Sequence, residues 1–355
     1  MIINCQDEIK KIVDTNNLNI NVADMLWTAF SYVDIFDKND MELYLLEGKT
    51  ENEALIELLY DFYKLDDQNE DNQNIMELYF LNNLKKLDPN DYLNNPFVKA
   101  HTKEGKNGSY ALKRLTYEPY QLFAYDEISV NEKYQEFSAI GYFDVPFSYL
   151  ALTQDDNVWM SLNPNEIETM KSPIEKGHGE VLVLGLGMGY VPYMLSLKDN
   201  VKSITIIEKD QNIISLFNEM IFPCFPNKNK INIIKDDAIN YLKINHKKDK
   251  YDYIFADLWH NAEEGLSLFV SLKKIDRNID CWLETSLLAL LRRCLIILLE
   301  ENLEGKTEKD YRYARTYTDE IINLFYKKTK DLVLDNKEDI DNLLSAENLL
   351  KLAVE

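Results

Sequence analysis

The residues best suited to chemistry lie between positions 180 and 264. Gly185, Gly187 and Gly189 stand at alternate positions, after the apolar run 181–184 and before a helical pattern marked by Val191, Met194 and Leu195. Glycines at such a junction permit a tight turn and let a ligand approach the main chain where a Cβ would obstruct it. The helix expected from about Gly189 directs free N–H groups into the same gap. Pro192 falls in its first turn, where a missing N–H costs little. Three acids follow, each at the end of an apolar run. Glu208 closes 203–208, Asp237 with the small Ala238 follows 231–235, and Asp257 closes 251–257. A carboxylate at the first position can accept both hydroxyls of a ribose, each charge-assisted bond being worth about 1.5–3 kcal/mol. At the second, an acid can accept from an adenine amino group while Ala238 leaves room for the ring. Asp257 stands at the carboxyl edge of the sheet, where open α/β sheets bind ligands. A tight connection alone would also use the glycines. Any one acid could instead cap a helix, the simpler reading for Asp210 and an open one for Asp236.

The elements that position these residues read as strand, helix, strand, helix, strand, helix, strand from Gly179 onward. Strands are expected at about 180–185, 202–208, 231–235 and 252–257. Their continuous apolar character suits a parallel sheet covered on both faces. Upstream, 111–125 and 137–152 are rich in aromatic and β-branched residues punctuated by glycine and proline, which predicts short strands. Asn163 before Pro164 marks the start of a lead-in helix. Residues 1–95 have helical periodicity, and past Ile275 helical patterns dominate, with one strand candidate at 280–283. The expected organisation is a helical acidic region (1–95), a small β-rich region (96–160), a Rossmann-like nucleotide-binding domain (161–300) and a helical extension (301–355).

Composition narrows the ligand. The net charge is −22, and residues 1–95 carry seven basic against twenty acidic side chains. Such a surface repels a phosphate backbone and an anionic membrane face, so neither nucleic acid nor membrane is an expected partner. The most apolar stretch, 287–299, is interrupted by Arg292 and Arg293 and is too short to span a bilayer. It reads as a buried helix. Cys5, Cys224, Cys281 and Cys294 are scattered, which fits a reducing cytoplasm. His101, His178 and His246 form no cluster, His101 and His246 stand among polar residues, and no metal is expected.

With these residues in view, the stretch 160–260 resembles the class I S-adenosylmethionine-dependent methyltransferases, nearest the branch shared with spermidine synthase. The resemblance is carried by Gly185-Leu-Gly187-Met-Gly189, Glu208, Asp237-Ala238 and the strand ending in Asp257. A dinucleotide-binding turn would need glycine where Tyr190 stands. The resemblance implies S-adenosylmethionine as cofactor, with the glycines facing its methionine portion, Glu208 on ribose, Asp237 on the adenine amine and Asp257 at the rim of the active site. Many members place an acid two positions before the first glycine, to hold the cofactor's ammonium; here it is Val183. Glu166, Asp257 or backbone carbonyls are the candidates to replace it. The aspartate that aminopropyltransferases carry inside the turn is absent, and 257–264 matches neither their Asp-Ser/Thr-x-Asp-Pro run nor the Asn/Asp-Pro-Pro-aromatic run of amino-group methyltransferases.

Methyl transfer from a sulfonium needs orientation above all, and a base only when the acceptor arrives protonated. Asp257 and His260 are the candidates for that base, and Trp259 and Glu166 for the substrate side. His260 could equally sit at a helix start, Trp259 in the core, and Glu263 and Glu264 in a first helical turn. The reading is methyl transfer to a small molecule. Its alternatives are a non-catalytic module on a degenerate methyltransferase fold, and aminopropyl transfer. An open cleft bounded by the glycines and two acids is expected. A cleft plugged by the protein's own side chains, with Glu208 held in a salt bridge, would remove the enzymatic reading.

Overall fold

The computed structural model describes all residues except 33–35, 37, 102, 246–249 and 307–314. Contacts divide the chain into two units, one of residues 22–129 with 137–257, the other of 1–21, 130–136 and 258–355.

In the first unit, an antiparallel sheet is built from β1 (Gly105–Asn107), β2 (Tyr110–Tyr117), β3 (Phe147–Gln154) and β4 (Asn157–Ser161), in the order β4-β3-β2-β1. β2 and β3 pair along their full eight residues, which leaves β4 as an edge strand bonded on one side only. The lead-in helix Pro164–Thr169 starts as the sequence requires: Asn163 accepts from the Glu166 N–H at 3.1 Å, and proline occupies the first helical position. A parallel sheet then forms from β5 (Gly179–Leu184), β6 (Val201–Glu208), β7 (Ile231–Lys235) and β8 (Tyr253–Ala256). Each lies within a residue or so of its expected position. Val181, Leu182, Val183 and Leu184 are at most 1% exposed, as a strand covered on both faces must be.

The order β7-β6-β5-β8 decides where a ligand can go. The chain runs outward from β5 to β7 and then returns to β8 on the other side of β5. The crossovers therefore diverge between β5 and β8, and a crevice opens at such a switch point. Register brings the rim residues level. Leu184 pairs with Ile207 and with Ala256, so Gly185, Glu208 and Asp257 are the next residue on three adjacent strands.

The second unit is mainly helical: Ala262–Ile275, Glu284–Leu303, Tyr317–Thr329, Lys337–Leu343 and Ala346–Val354. Helix Glu284–Leu303 buries Leu287, Leu291, Leu295, Leu298 and Leu299 completely, in line with the buried helix expected there. Its arginines serve segment 130–136. Arg293 makes a two-pronged ion pair with Glu136, and Arg292 lies over the Tyr134 ring. The strand candidate at 280–283 is a two-residue strand, Asp280–Cys281. Among the described residues no helix is long and apolar enough to cross a membrane.

Candidate active site

The glycine turn is as tight as its sequence demands. Gly189 has φ +74° and its N–H returns to the Leu186 carbonyl at 2.8 Å. A Cβ there would lie 2.4 Å from the buried Phe217 ring, so both conformation and space exclude any other residue. Gly187, at φ +49°, turns its bare Cα toward the Met160 side chain, which a Cβ would meet at 2.5 Å.

Glu208 is buried and its two oxygens are engaged by main-chain donors. The Leu186 N–H donates to one at 3.1 Å and the Asp210 N–H to the other at 2.8 Å. Among the described residues it has no ion pair. A carboxylate accepts about four hydrogen bonds, so each oxygen keeps a lone pair for a further donor. Asp210 is the helix cap the sequence suggested, accepting from the Asn212 N–H at 2.7 Å, and the Tyr110 hydroxyl donates to its other oxygen at 2.8 Å. Asp237 also caps: one oxygen accepts from the Asn240 N–H at 3.0 Å, and the side chain is otherwise exposed beside the buried Ala238.

Val183 is 1% exposed and belongs to the core of the sheet. A carboxyl group from another element stands near that position. Glu166, on the lead-in helix, lines the crevice together with Val183, Gly185, Gly189, Phe255 and Asp257. Glu166 is only 9% exposed, and among the described residues no hydrogen bond or ion pair reaches its carboxyl group. Burial, and then the charge of Asp257, push its pKa well above the usual carboxylate range. Asp257 is pushed up to about 7, first by burial and then by the charge of Glu208. Three acids thus share one rim without a described cation to compensate them.

The open cleft expected there is not open. Its free volume is about 10 Å³, room for one water at most. Met160, from the edge strand β4, fills it: the Met188 N–H donates to Met160 Sδ at 3.0 Å, and the methyl group rests against Gly187. One half of the condition set against the enzymatic reading is met, since the protein's own side chain occupies the space. The other half is not, because Glu208 holds backbone amides rather than a cation. In kind, the rim residues fit a ribose and a positively charged group. In space they do not, since a nucleotide-sized ligand needs several hundred Å³.

Downstream of Asp257, the remaining candidates belong to the other unit. Trp259 is buried against Gly265, whose Cβ would meet the indole at 2.6 Å, and the indole N–H has no partner among the described residues. His260 is exposed and its Nδ1 lies 2.8 Å from Glu264 Oε2, one helical turn on. Asn261 caps the helix, with Glu263 and Glu264 in its first turn. His101 corrects the sequence reading. It is buried rather than polar in its surroundings, stacked on Phe97 at 4.0 Å, with its ring nitrogens 2.8 Å and 3.1 Å from the carbonyl oxygens of Phe97 and Ile221. Aromatic neighbours from 190–225 surround it, and only the fold brings them there. His246 lies outside the described residues. Met160 escaped the sequence reading because a lone methionine in a short strand carries no signal of what it will face.

Residues 166–279 match the family model of the Spermine/spermidine synthase domain. That segment is a spermidine synthase-like domain. Its fold is a Rossmann-like α/β sheet, followed in this chain by helices. Two solved structures are similar to part of the chain. A Klebsiella pneumoniae chain described as "a putative O-methyltransferase" aligns at 12% identity over 31% of this chain and 48% of its own length, with a TM-score of 0.24. The spermidine synthase from Thermotoga maritima aligns at 13% identity over 38% of this chain and 50% of its own, with a TM-score of 0.28. The chain thus spans about half the length of each. No curated protein matches it.

Proposed function

We propose that this chain binds an adenosyl sulfonium donor, S-adenosylmethionine, beside the glycine turn and transfers its methyl group to a small-molecule nucleophile. One observation carries the reading. A buried carboxyl group, Glu166, and a half-buried one, Asp257, line the switch-point crevice next to the glycines, with no cation described to balance them. A positively charged group entering there favours their ionised forms, and burial makes that attraction stronger than in water. The donor, when bound, supplies an alkyl group already activated by positive sulfur. The chain's own residues do the rest. Glu208 has lone pairs left for ribose hydroxyls, and Asp237 a free oxygen for the adenine amine beside the small Ala238. Asp257, with its pKa raised to about 7, is suited to take the proton of a protonated acceptor near neutral pH. His260, bonded to Glu264, and Trp259, packed on Gly265, have no part in this scheme. The acceptor is a small molecule rather than a nucleic acid, since a net charge of −22 repels phosphate. The four free cysteines suit a reducing compartment such as the cytoplasm.

A second reading, aminopropyl transfer, is favoured by the spermine/spermidine synthase match and by one feature of the crevice. No lysine or arginine is among its described lining residues, so nothing there pairs with the carboxylate of S-adenosylmethionine. A decarboxylated donor brings no such group. Calorimetric titration with S-adenosylmethionine, S-adenosylhomocysteine and decarboxylated S-adenosylmethionine separates the readings. Comparable binding of the first two supports methyl transfer, and preference for the third shifts the assignment to aminopropyl transfer. Binding of none, by the natural chain and by a Met160→Ala variant alike, leaves the non-catalytic module.

A further inference from the structure

We propose that Met160 is an internal occupant of the donor crevice and controls entry to it. The inference rests on the reading above and adds a gate. The side chain is seated by specific contacts: its sulfur accepts the Met188 N–H at 3.0 Å, and its methyl and sulfur lie where a Cβ on Gly187 would stand. A sulfur bearing a methyl and a methylene also occurs in an adenosyl donor, where a third carbon makes it a sulfonium. Met160 therefore places an uncharged group of similar shape against the glycines that such a donor would face.

The segment that carries it is built to move at small cost. β4 is an edge strand, and among the described residues its backbone pairs on one side only, with β3. Its pairing slips between Val158 and Met160, and an irregularity of this kind re-aims a side chain while weakening the ladder locally. Val158 is 54% exposed, so little apolar burial secures the strand on its outer face. Met160 itself has three rotatable bonds and a weak acceptor, and can leave without rearranging the sheet. Its departure frees the Met188 N–H and the space beside Gly187, and opens the path to Glu166 and Asp257.

Apparent affinity falls in proportion to the open fraction, so a gate that is open a tenth of the time weakens binding about tenfold. The full-length chain is compared with Met160→Ala, Met160→Val and Met160→Leu. Two readouts are used: amide exchange of 186–189 without ligand, and affinity for S-adenosylmethionine and S-adenosylhomocysteine. The expected result is faster exchange at Met188 in the alanine variant and affinity about tenfold tighter. Valine should fall between, and leucine, which keeps the bulk, should bind like the natural chain. Unchanged exchange in the alanine variant overturns the gate, as does equal affinity across the series. Faster exchange with no ligand bound by any variant upholds Met160 as the occupant while rejecting the adenosyl reading. The graded series also guards against one variant failing to fold.

Discussion

A carboxyl group that carries a proton near neutral pH reports what surrounds it. Desolvation is the first cause for both Glu166 and Asp257, and neighbouring negative charge the second. For Asp257 the folded value, about 7, lies above the unfolded one, so the folded state binds the proton more tightly. Its contribution to stability is complete below about pH 4 and is lost as pH rises through about 7. Asp257→Asn removes that dependence. In urea denaturation between pH 4.5 and 7.5, the variant should gain stability over the natural chain as pH rises; parallel curves would contradict the burial argument. Glu208 has a different part, since it holds two backbone amides and offers its spare lone pairs outward. Glu208→Ala should weaken binding of S-adenosylhomocysteine by about 1.5–3 kcal/mol if the carboxylate holds ribose. Unchanged affinity by calorimetry would limit the residue to bracing the turn.

At the scale of the element, the glycine turn and its helix depend on one backbone conformation. Gly189 stands at positive φ with the Phe217 ring against its Cα. Gly189→Ala combines a left-handed conformation disfavoured by roughly 1–2 kcal/mol with overpacking of about 1–3 kcal/mol. A loss of about 2–5 kcal/mol is expected in chemical denaturation, and a loss below about 0.5 kcal/mol would show that the turn relaxes freely. The strands and caps are a matter of local chemistry. Asn163 before Pro164 and Asp210 before Gln211 sit where their side chains can satisfy first-turn amides, and both do. Edge strand β4 is the element whose role cannot be read from its own residues, because Met160 acquires meaning only from Gly187 opposite.

For the whole molecule, charge is the governing quantity. With a net −22, the folded chain holds its carboxylates closer together than the unfolded chain does, and salt screens that repulsion over about 10 Å at 0.1 M. The melting temperature should rise by several degrees between 10 and 150 mM sodium chloride. A fall would mean that attractive ion pairs, such as Arg293 with Glu136, outweigh the repulsion.

The amino-acid sequence alone determined the parallel strands, their order along the chain, the glycine turn and the acids that end β6 and β8. Apolar period, capping chemistry and the conformational freedom of glycine act over a few residues and leave their mark in the string itself. Tertiary structure alone decided that Glu166 lines the crevice beside Val183, that Asp237 spends an oxygen on a helix cap, that His101 is buried among aromatic rings, and that Met160 fills the crevice. Each of these depends on which side chain from a distant segment arrives at a given point. That is settled by packing and by burial of charge across the fold, and neither has a period or a motif.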